Sequence, residues 1–300
     1  MIYTITLNPA LDYIMEIEEF ENGKINRAKS DKIFPGGKGI NVSIVLNNLG
    51  LKSTTLGFIG GFTGEELKRQ MEEQGIQTDF IKLKRGKTRI NVKINSKKET
   101  ELNSRGPEIS KEEAQKLLEK VDNIQTEDIV VIAGNIPDGI DKNIYETICA
   151  KLQEKKVTFI VDTTGEKLIN ILKYKPFLIK PNRKELEETF KTKIKTNREI
   201  IEHAKKLQMM GAQNVLISLG RNGAILVTKH NKVFISNAPK GKKVNTVGSG
   251  DSMVAGFISG YKKNKDYEEA LKMSIATGSA SAFSEGLATK DKVDILLKKI

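Results

Sequence analysis

The sequence predicts an α/β protein with a doubly wound, mostly parallel sheet that carries helices on both faces. Short apolar runs rich in β-branched residues, typical of buried parallel strands, recur at 129–132, 159–161, 177–179 and 215–217. Helical patterns lie between them, and two begin with the spacing of a capping box, Ser110 with Glu113 and Thr196 with Glu199. This alternation indicates a single α/β domain over residues 1–300.

Two segments depart from the strand and helix alternation. Residues 12–34 and 87–105 alternate apolar with polar side chains, as the run 89–94 illustrates. This pattern is typical of an antiparallel sheet with one exposed face. We expect a small β-sheet lid, inserted into the domain and placed over the carboxyl edge of the main sheet, where ligands of such sheets bind. Because an uncovered sheet tends to find a partner, the lid also predicts a homodimer.

The composition is that of an ordinary globular protein, with 38% hydrophobic and 29% charged residues. The single cysteine, Cys149, excludes an intramolecular disulfide, and no run of about 18 apolar residues is present to cross a membrane. We therefore expect a cytoplasmic protein without a membrane partner. The net charge is +12, but the lysines are scattered through amphipathic helices and only 6% of residues are aromatic. We expect this charge to attract anionic substrates rather than nucleic acid.

The run 244–253 places small residues and one carboxylate at the start of an apolar helical pattern. Gly248, Ser249 and Gly250 let the backbone approach a ligand, and unpaired N–H groups at a helix start bind anions. Asp251 suits the removal of a proton from an attacking hydroxyl group. The arrangement predicts phosphoryl transfer, and an ordinary loop capped by an aspartate is the alternative.

A second glycine-rich turn, at residues 34–42, also opens onto a helix. Gly36 and Gly37 allow close backbone contact, Lys38 supplies a positive charge, and Asn41 supplies both a donor and an acceptor. These groups suit a phosphorylated polyol. The alternative is a tight turn with a solvated lysine, and the spacing does not match a Walker motif.

Two candidate substrate contacts lie on or beside the expected lid. Asp12 follows the first strand, so we expect it at the carboxyl edge of the sheet, where it would accept hydrogen bonds from sugar hydroxyls. An aspartate in a turn beside a proline is the alternative. Arg89 has the planar group that clamps a phosphate, although an exposed strand arginine is the commoner case.

Two further motifs point to a nucleotide. Asn182 and Glu185 are one helical turn apart and suit the water shell of Mg²⁺, although both are also routine capping residues. The turn between Ser218 and Gly223 would lie along a nucleotide, or would be a simple hairpin turn. The two histidines, His203 and His230, have no partner at metal-ligand spacing.

Together these segments resemble the ribokinase-like (PfkB) carbohydrate kinases over essentially the entire chain. Four signatures occur in family order, at 36–42, 180–185, 218–223 and 245–251. The opening 6–12 and the run 88–93 resemble the branch that phosphorylates hexose monophosphates. The resemblance implies a ribokinase-like fold and the phosphorylation of fructose 1-phosphate by ATP at the 6-hydroxyl, with Mg²⁺ as a cofactor. Tagatose 6-phosphate, phosphorylated at the 1-hydroxyl, and a non-catalytic sugar-phosphate-binding regulator are the alternatives.

The resemblance also implies roles for individual residues. Asp251 would be the base, and Gly248, Ser249 and Gly250 would donate N–H groups to the transferred phosphoryl. The residues implied for the sugar phosphate are Asp12, Lys24, Gly37, Lys38, Asn41 and Arg89. Those implied for the nucleotide are Lys180, Asn182, Ser218, Gly220, Gly223, Gly248, Gly250 and Ser279. Glu185 would organise Mg²⁺ through water, and Arg105, where the branch more often has an acidic or small residue, is a candidate additional phosphate contact.

Overall fold

The structure is a computed structural model that describes residues 1–300. Its strands are β1 (Ile2–Thr6), β2 (Ala10–Glu16), β3 (Ser30–Gly36), β4 (Thr54–Ile59), β5 (Gln77–Thr78), β6 (Ile81–Lys82), β7 (Arg89–Asn95), β8 (Thr100–Leu102), β9 (Ile129–Ala133), β10 (Thr158–Asp162), β11 (Leu178–Ile179), β12 (Asn214–Ser218), β13 (Ala224–Val227) and β14 (Val233–Ser236). Its helices are α1 (Lys38–Asn48), α2 (Gly61–Glu73), α3 (Lys111–Asp122), α4 (Ile144–Glu154), α5 (Gly165–Leu172), α6 (Arg183–Phe190), α7 (Asn197–Met209), α8 (Ser249–Asn264), α9 (Tyr267–Ala282) and α10 (Lys290–Leu297).

The main sheet has the strand order β14-β13-β12-β11-β10-β9-β1-β4-β5, and β6 pairs with β4 beside β5. All neighbouring strands are parallel except at the end of the sheet, where β13 runs antiparallel to both β12 and β14. The predicted mostly parallel sheet is therefore confirmed. Because β1 lies between β4 and β9, the chain first extends the sheet on one side of β1, through β4 to β5 and β6, and later adds β9 on the other side. The carboxyl ends of β1 and β9 thus flank a crevice of the kind in which α/β proteins bind ligands.

Helices cover both faces of this sheet, as predicted. Successive side chains of β9 point to opposite faces: Val130 belongs to one hydrophobic core and Val131 to the other. The first core packs against α3 to α7, and the second packs against α1, α8, α9 and α10. The capping boxes predicted at Ser110 and Thr196 are both formed. None of the ten helices combines the length and the apolar character needed to span a membrane.

A second, four-stranded sheet with the order β3-β2-β7-β8 stands beside the main one. The pairs β2–β3 and β7–β8 are antiparallel, but the central pair β2–β7 is parallel, so the antiparallel pattern predicted for the lid is wrong at its centre. The cause is topological. Each central strand follows a strand of the parallel main sheet, β1 or β6, so both leave the carboxyl edge in the same direction.

Candidate active site

The glycine turn before α8 forms the centre of the site. Gly248 is the N-cap residue with φ of 72°, a left-handed conformation that favours glycine, and a Cβ there would lie 2.5 Å from Leu287 Cδ2, so this leucine side chain would have to move. The N–H groups of Gly248, Gly250 and Asp251 have no partner in the chain. Ser249 differs from the prediction, because its N–H donates to the carbonyl of Thr246 at 3.2 Å to close the turn. Three unpaired donors therefore remain at the positive end of α8.

Asp251, in the first turn of α8, is only 6% exposed. Its Oδ2 accepts a hydrogen bond of 2.8 Å from Nδ2 of Asn41 in α1. Burial, and secondarily the nearby carboxylate of Asp162, raise the pKa of Asp251 to about 6, against the opposing effect of Lys38 and this hydrogen bond. A carboxylate with this pKa is deprotonated at neutral pH and is basic enough to accept a proton from a hydroxyl group.

Asp162, at the end of β10, is a site residue that the sequence analysis missed. It is 2% exposed and lies between two ammonium groups, 3.4 Å from Lys38 Nζ and 3.7 Å from Lys180 Nζ. Burial acts to raise the pKa of Asp162, but Lys180 and Lys38 outweigh it and hold the pKa below its ordinary value. The available signal is a carboxylate directly after the apolar run 159–161, where a parallel strand delivers side chains to the binding edge.

The second sheet contributes a buried ion pair. Asp12 lies on β2 rather than at the edge of the main sheet, where we expected it. Its Oδ2 is 2.9 Å from Lys93 Nζ, and its Oδ1 accepts a 2.9 Å hydrogen bond from Asn91 Nδ2. Arg89, Asn91 and Lys93 alternate along β7, so one face of this strand presents three polar side chains to the site. Only Arg89 was predicted; the alternation places the other two on the same face of the strand but does not reveal their partner.

A polar cavity of about 350 Å³ lies between the two sheets, and only one of its 18 lining residues is hydrophobic. Among these residues are the predicted Asp12, Gly37, Lys38, Asn41, Arg89, Lys180, Asn182, Glu185, Gly248, Gly250 and Asp251. Thr6 Oγ1 and Asn8 Oδ1 belong to two more of the lining residues, and both atoms are buried without a hydrogen-bond partner. A polar cavity with unpartnered polar atoms suits a ligand rich in hydroxyl groups. We call it the central cavity.

A second cavity of about 620 Å³ adjoins the central cavity, and Gly250 lines both. The predicted residues that line it are Ser218, Gly220, Gly223, Ser249, Gly250 and Ser279. Met253, Ile275 and Phe283 supply apolar surface, while Arg221, Lys240 and Lys243 supply positive charge. The predictions did not include the lining residues between 238 and 243, because no motif marks them. An apolar wall with a basic rim suits a nucleotide, so we call this space the nucleotide cavity.

Asn182 and Glu185 form a reciprocal cap at the start of α6. The N–H of Glu185 donates to Asn182 Oδ1 at 2.9 Å, and the N–H of Asn182 donates to Glu185 Oε2 at 2.7 Å. Both residues therefore have the capping role that the sequence analysis gave as the alternative to Mg²⁺ binding. The second carboxylate oxygen of Glu185 has no hydrogen-bond partner within the chain. No group of three or more His, Cys, Asp or Glu residues forms a metal site. The chain thus fits Mg²⁺ only as an ion with few protein ligands, which Mg²⁺ accepts when phosphates and water complete its shell.

Two residues named as candidate contacts, Lys24 and Arg105, lie outside both cavities. Lys24 is on the protein surface. Its side chain is 67% exposed in the loop between β2 and β3, where Nζ lies 2.5 Å from Glu21 Oε2. A larger cavity, of about 810 Å³, lies at the opposite edge of the main sheet, near the start of β9 and β10. None of the predicted site residues lines it.

Comparison with known proteins gives consistent matches over the whole chain. Residues 5–293 match the family described as pfkB family carbohydrate kinase. The 1-phosphofructokinase of Bacillus subtilis is 45% identical over 100% of this chain and 98% of its own length. The D-tagatose-1-phosphate kinase of Bacillus licheniformis is 38% identical over 98% of this chain and 96% of its own length. The structure of phosphofructokinase-2 from Escherichia coli in complex with substrates and products has a TM-score of 0.94 and 28% identity, covering 99% of this chain and 98% of that one.

Proposed function

The chain belongs to the pfkB family of carbohydrate kinases, and we propose that it transfers a phosphoryl group from ATP to the 6-hydroxyl of fructose 1-phosphate, giving fructose 1,6-bisphosphate and ADP. The observation that carries the proposal is the position of Asp251. This buried carboxylate lines the central cavity directly beside Gly250, which also lines the nucleotide cavity. A hydroxyl group in one cavity and a terminal phosphate in the other would therefore meet at a base whose pKa is about 6.

In this mechanism Asp251 accepts the proton of the 6-hydroxyl as its oxygen attacks the γ-phosphorus of ATP. The bond from that phosphorus to the β–γ bridging oxygen breaks, and ADP leaves. The unpaired N–H groups of Gly248, Gly250 and Asp251 donate to the phosphoryl group in transit. Lys38 and Lys180 offset its negative charge, and Asp162 holds both ammonium groups next to Asp251. The chain thus supplies positioning and charge, which phosphoryl transfer needs more than covalent chemistry.

Different groups of residues would bind the acceptor sugar phosphate and ATP. Asp12 and Asn41 would hydrogen-bond to sugar hydroxyls in the central cavity, and Arg89 would contact the phosphate of the acceptor. The predicted nucleotide residues, with Lys180 and Asn182 on the central side, would lie along ATP. Mg²⁺ bound to the ATP phosphates would supply additional charge neutralisation, with Glu185 holding one of its waters. Closure of the second sheet over the central cavity would exclude water as a competing acceptor.

Tagatose 1-phosphate is a second candidate acceptor, supported by the relative named D-tagatose-1-phosphate kinase. Tagatose differs from fructose only in the configuration at carbon 4, so a single hydroxyl contact decides between the two sugars. The alternative that the sequence leaves open is tagatose 6-phosphate, whereas this relative is named for the 1-phosphate. A non-catalytic regulator is disfavoured because Asp251 and its turn retain the arrangement that catalysis needs.

The second sheet also supports a homodimer. Ile33, Tyr13, Val92 and Leu102 occupy one register row across its four strands, so their side chains share a face. Ile33 is 44% exposed and Leu102 is 58% exposed. An exposed apolar row of this kind is stabilised when a second copy covers it. We further propose a cytoplasmic location, which the free and buried Cys149 favours.

A coupled assay of ADP release tests the proposed function. With Mg-ATP in excess, we expect the highest kcat/KM for fructose 1-phosphate among fructose 1-phosphate, tagatose 1-phosphate, tagatose 6-phosphate, fructose 6-phosphate and unphosphorylated fructose. The Asp251→Asn variant is the control for contaminating kinases. A preference for either tagatose phosphate would retain the mechanism and change the substrate, and the absence of turnover above the control with all five sugars would refute the proposal.

A further inference from the structure

The cavity of about 810 Å³ at the amino edge of the main sheet has no part in the proposed reaction. We call it the amino-edge cavity. It lies among the starts of β9 and β10, the residues just before β11 and β12, and the C-terminal half of α8. Asp251 lies in the first turn of α8, whereas Phe257 and Tyr261 of the same helix line the amino-edge cavity. An occupant of this cavity would therefore not compete for space with ATP or the sugar.

One part of the wall of the amino-edge cavity is aromatic. Nine of the 19 lining residues are hydrophobic, against one of 18 in the central cavity. Five of these nine are aromatic, namely Phe159, Tyr174, Phe177, Phe257 and Tyr261. The rings of Phe257 and Tyr261 stack with centroids 5.9 Å apart, and the ring of Phe177 lies 5.0 Å from that of Tyr261. An aromatic cluster in a cavity wall is a surface against which a planar ring packs favourably.

The other part of the wall is basic. Glu127 is the only acidic residue that lines the amino-edge cavity, whereas five lysines line it, namely Lys156, Lys175, Lys229, Lys262 and Lys265. None of these five ammonium groups has a carboxylate within 4.0 Å, although the chain forms 21 ion pairs elsewhere. Unpaired cations around one cavity create a positive potential, which favours a ligand with several negative charges.

Three of the five lysines have a backbone conformation that lysine rarely adopts. Lys156, Lys175 and Lys265 each have φ of 57°, and they lie at or just after the ends of α4, α5 and α8. Glycine is the usual residue in this left-handed position after a helix, because a Cβ makes the conformation less favourable. Three separate helix ends therefore place a lysine, in a strained conformation, beside the same cavity.

Other helix ends of the same chain have glycine at this position. Gly50 and Gly75 follow α1 and α2 with φ of 82° and 77°. The N–H of Gly50 donates to the carbonyl three residues earlier, and the N–H of Lys156 makes the same hydrogen bond at the end of α4. Glycine thus closes this turn as well as lysine does, so what Lys156 adds is its side chain. Lys191, at the end of α6, has the same left-handed conformation and lines none of the cavities described above.

We propose that the amino-edge cavity binds a nucleoside triphosphate that takes no part in phosphoryl transfer. This ligand class joins a planar heteroaromatic base to a chain of phosphates, which matches the two parts of the wall. The base packs against the aromatic cluster, and the lysines contact the phosphates. The cavity volume of about 810 Å³ exceeds the 620 Å³ of the nucleotide cavity and is typical of a small-molecule site, so the space is sufficient.

Replacement of Lys156, Lys175 and Lys265 by glycine separates ligand binding from folding. Glycine removes the three charges and suits the left-handed backbone, so the melting temperature of the triple variant should be unchanged or higher. Equilibrium dialysis with ATP, GTP, CTP and UTP counts the nucleotides bound per chain. For at least one of the four, we expect the parent protein to bind one nucleotide more than the triple variant does. Each single variant should weaken this site at least about threefold, and the triple variant at least about 30-fold.

Lys191→Gly is the matched control, because it changes the same residue type in the same backbone conformation away from the cavity. It should leave nucleotide binding unchanged. Inorganic triphosphate, which lacks the base, should bind to the amino-edge cavity at least about tenfold more weakly than the nucleotide.

Equal stoichiometry and affinity in the parent and the triple variant for all four nucleotides would overturn the proposal, as would equal affinity for inorganic triphosphate. The triple variant should keep the parent's kcat and KM for ATP, because the three lysines lie at the opposite edge of the sheet from Asp251. The turnover of fructose 1-phosphate by the parent protein tests the proposed function separately, so failure of one proposal is distinguishable from failure of the other.

Discussion

Asn41 Nδ2 donates a 2.8 Å hydrogen bond to Oδ2 of Asp251, a residue 210 positions later in the chain. The bond joins the two glycine-rich turns, because Asn41 lies one turn into α1 and Asp251 lies in the first turn of α8. An amide donor orients the carboxylate without neutralising it, so Oδ1 keeps its capacity to accept a proton. The hydrogen bond therefore holds the start of α1 next to the start of α8, at the carboxylate that we propose as the base.

We expect the pH profile of kcat/KM to show an acid limb near pH 6. The pKa of Asp251 is raised to about 6, first by burial and then by Asp162, and only the ionised carboxylate accepts the proton. Activity should therefore fall about tenfold per pH unit below this value. Replacement of Asp162 by asparagine removes the neighbouring negative charge, so the limb should move to lower pH. A limb that stays near pH 6 in this variant would show that Asp162 does not influence the base.

Asp251→Asn should lower kcat at least about 100-fold, the usual scale for the loss of a general base. The variant keeps the size of the side chain, so ATP affinity should change by less than about threefold. Equilibrium titration with ATP and steady-state turnover separate the two effects. Turnover within a few-fold of the parent enzyme would exclude Asp251 as the base.

The same substitution should stabilise the fold at alkaline pH. A raised pKa means that the folded protein holds the Asp251 proton more tightly than the unfolded chain, whose carboxyl has the ordinary value of 3.8. Above pH 6 the Asp251 carboxyl is ionised in both the folded protein and the unfolded chain, and the buried charge destabilises the folded protein. Replacement by neutral asparagine should therefore increase the free energy of unfolding by about 1–3 kcal/mol. This gain should decrease as the pH falls from 6 to 4. Urea denaturation of both proteins at pH 8 and pH 4.5 measures the difference.

The sequence predicts well those parts of the molecule that local patterns specify. The buried strands, the capped helices and the turn from Gly248 to Asp251 follow from short-range propensity and chemistry. Asp162 and Lys93 escaped prediction because their importance depends on long-range partners. The ion pair of Lys93 with Asp12, for example, joins β7 to β2, two strands that lie far apart in the sequence. The parallel pairing of β2 with β7 was missed for the same reason, since alternation defines the faces of a strand but not the direction of its neighbour.

Arg89→Ala should raise the KM for the sugar phosphate much more than the KM for ATP. Arg89 lines the central cavity but not the nucleotide cavity. Its guanidinium also donates to the carbonyls of Asn8 and Ser104, so the loss includes some of the order of the cavity wall. We expect at least a tenfold rise in the KM for the sugar phosphate, the scale of one lost charge-assisted contact. Equal changes in both Michaelis constants would place Arg89 outside the acceptor site.

The ion pair between Asp12 and Lys93 should be important for both stability and sugar binding. Lys93→Met leaves a carboxylate buried without its cation, which should lower the free energy of unfolding by about 3–5 kcal/mol. Adding Asp12→Leu removes the second charge, so the double variant should recover most of this loss. Catalytic efficiency should stay low in the double variant, because the polar group that lines the central cavity is gone. Urea denaturation of the parent enzyme, the two single variants Lys93→Met and Asp12→Leu, and the double variant gives the coupling free energy of the ion pair. Additive effects on stability would show that the two charges act independently, and restored activity would remove Asp12 from the sugar site.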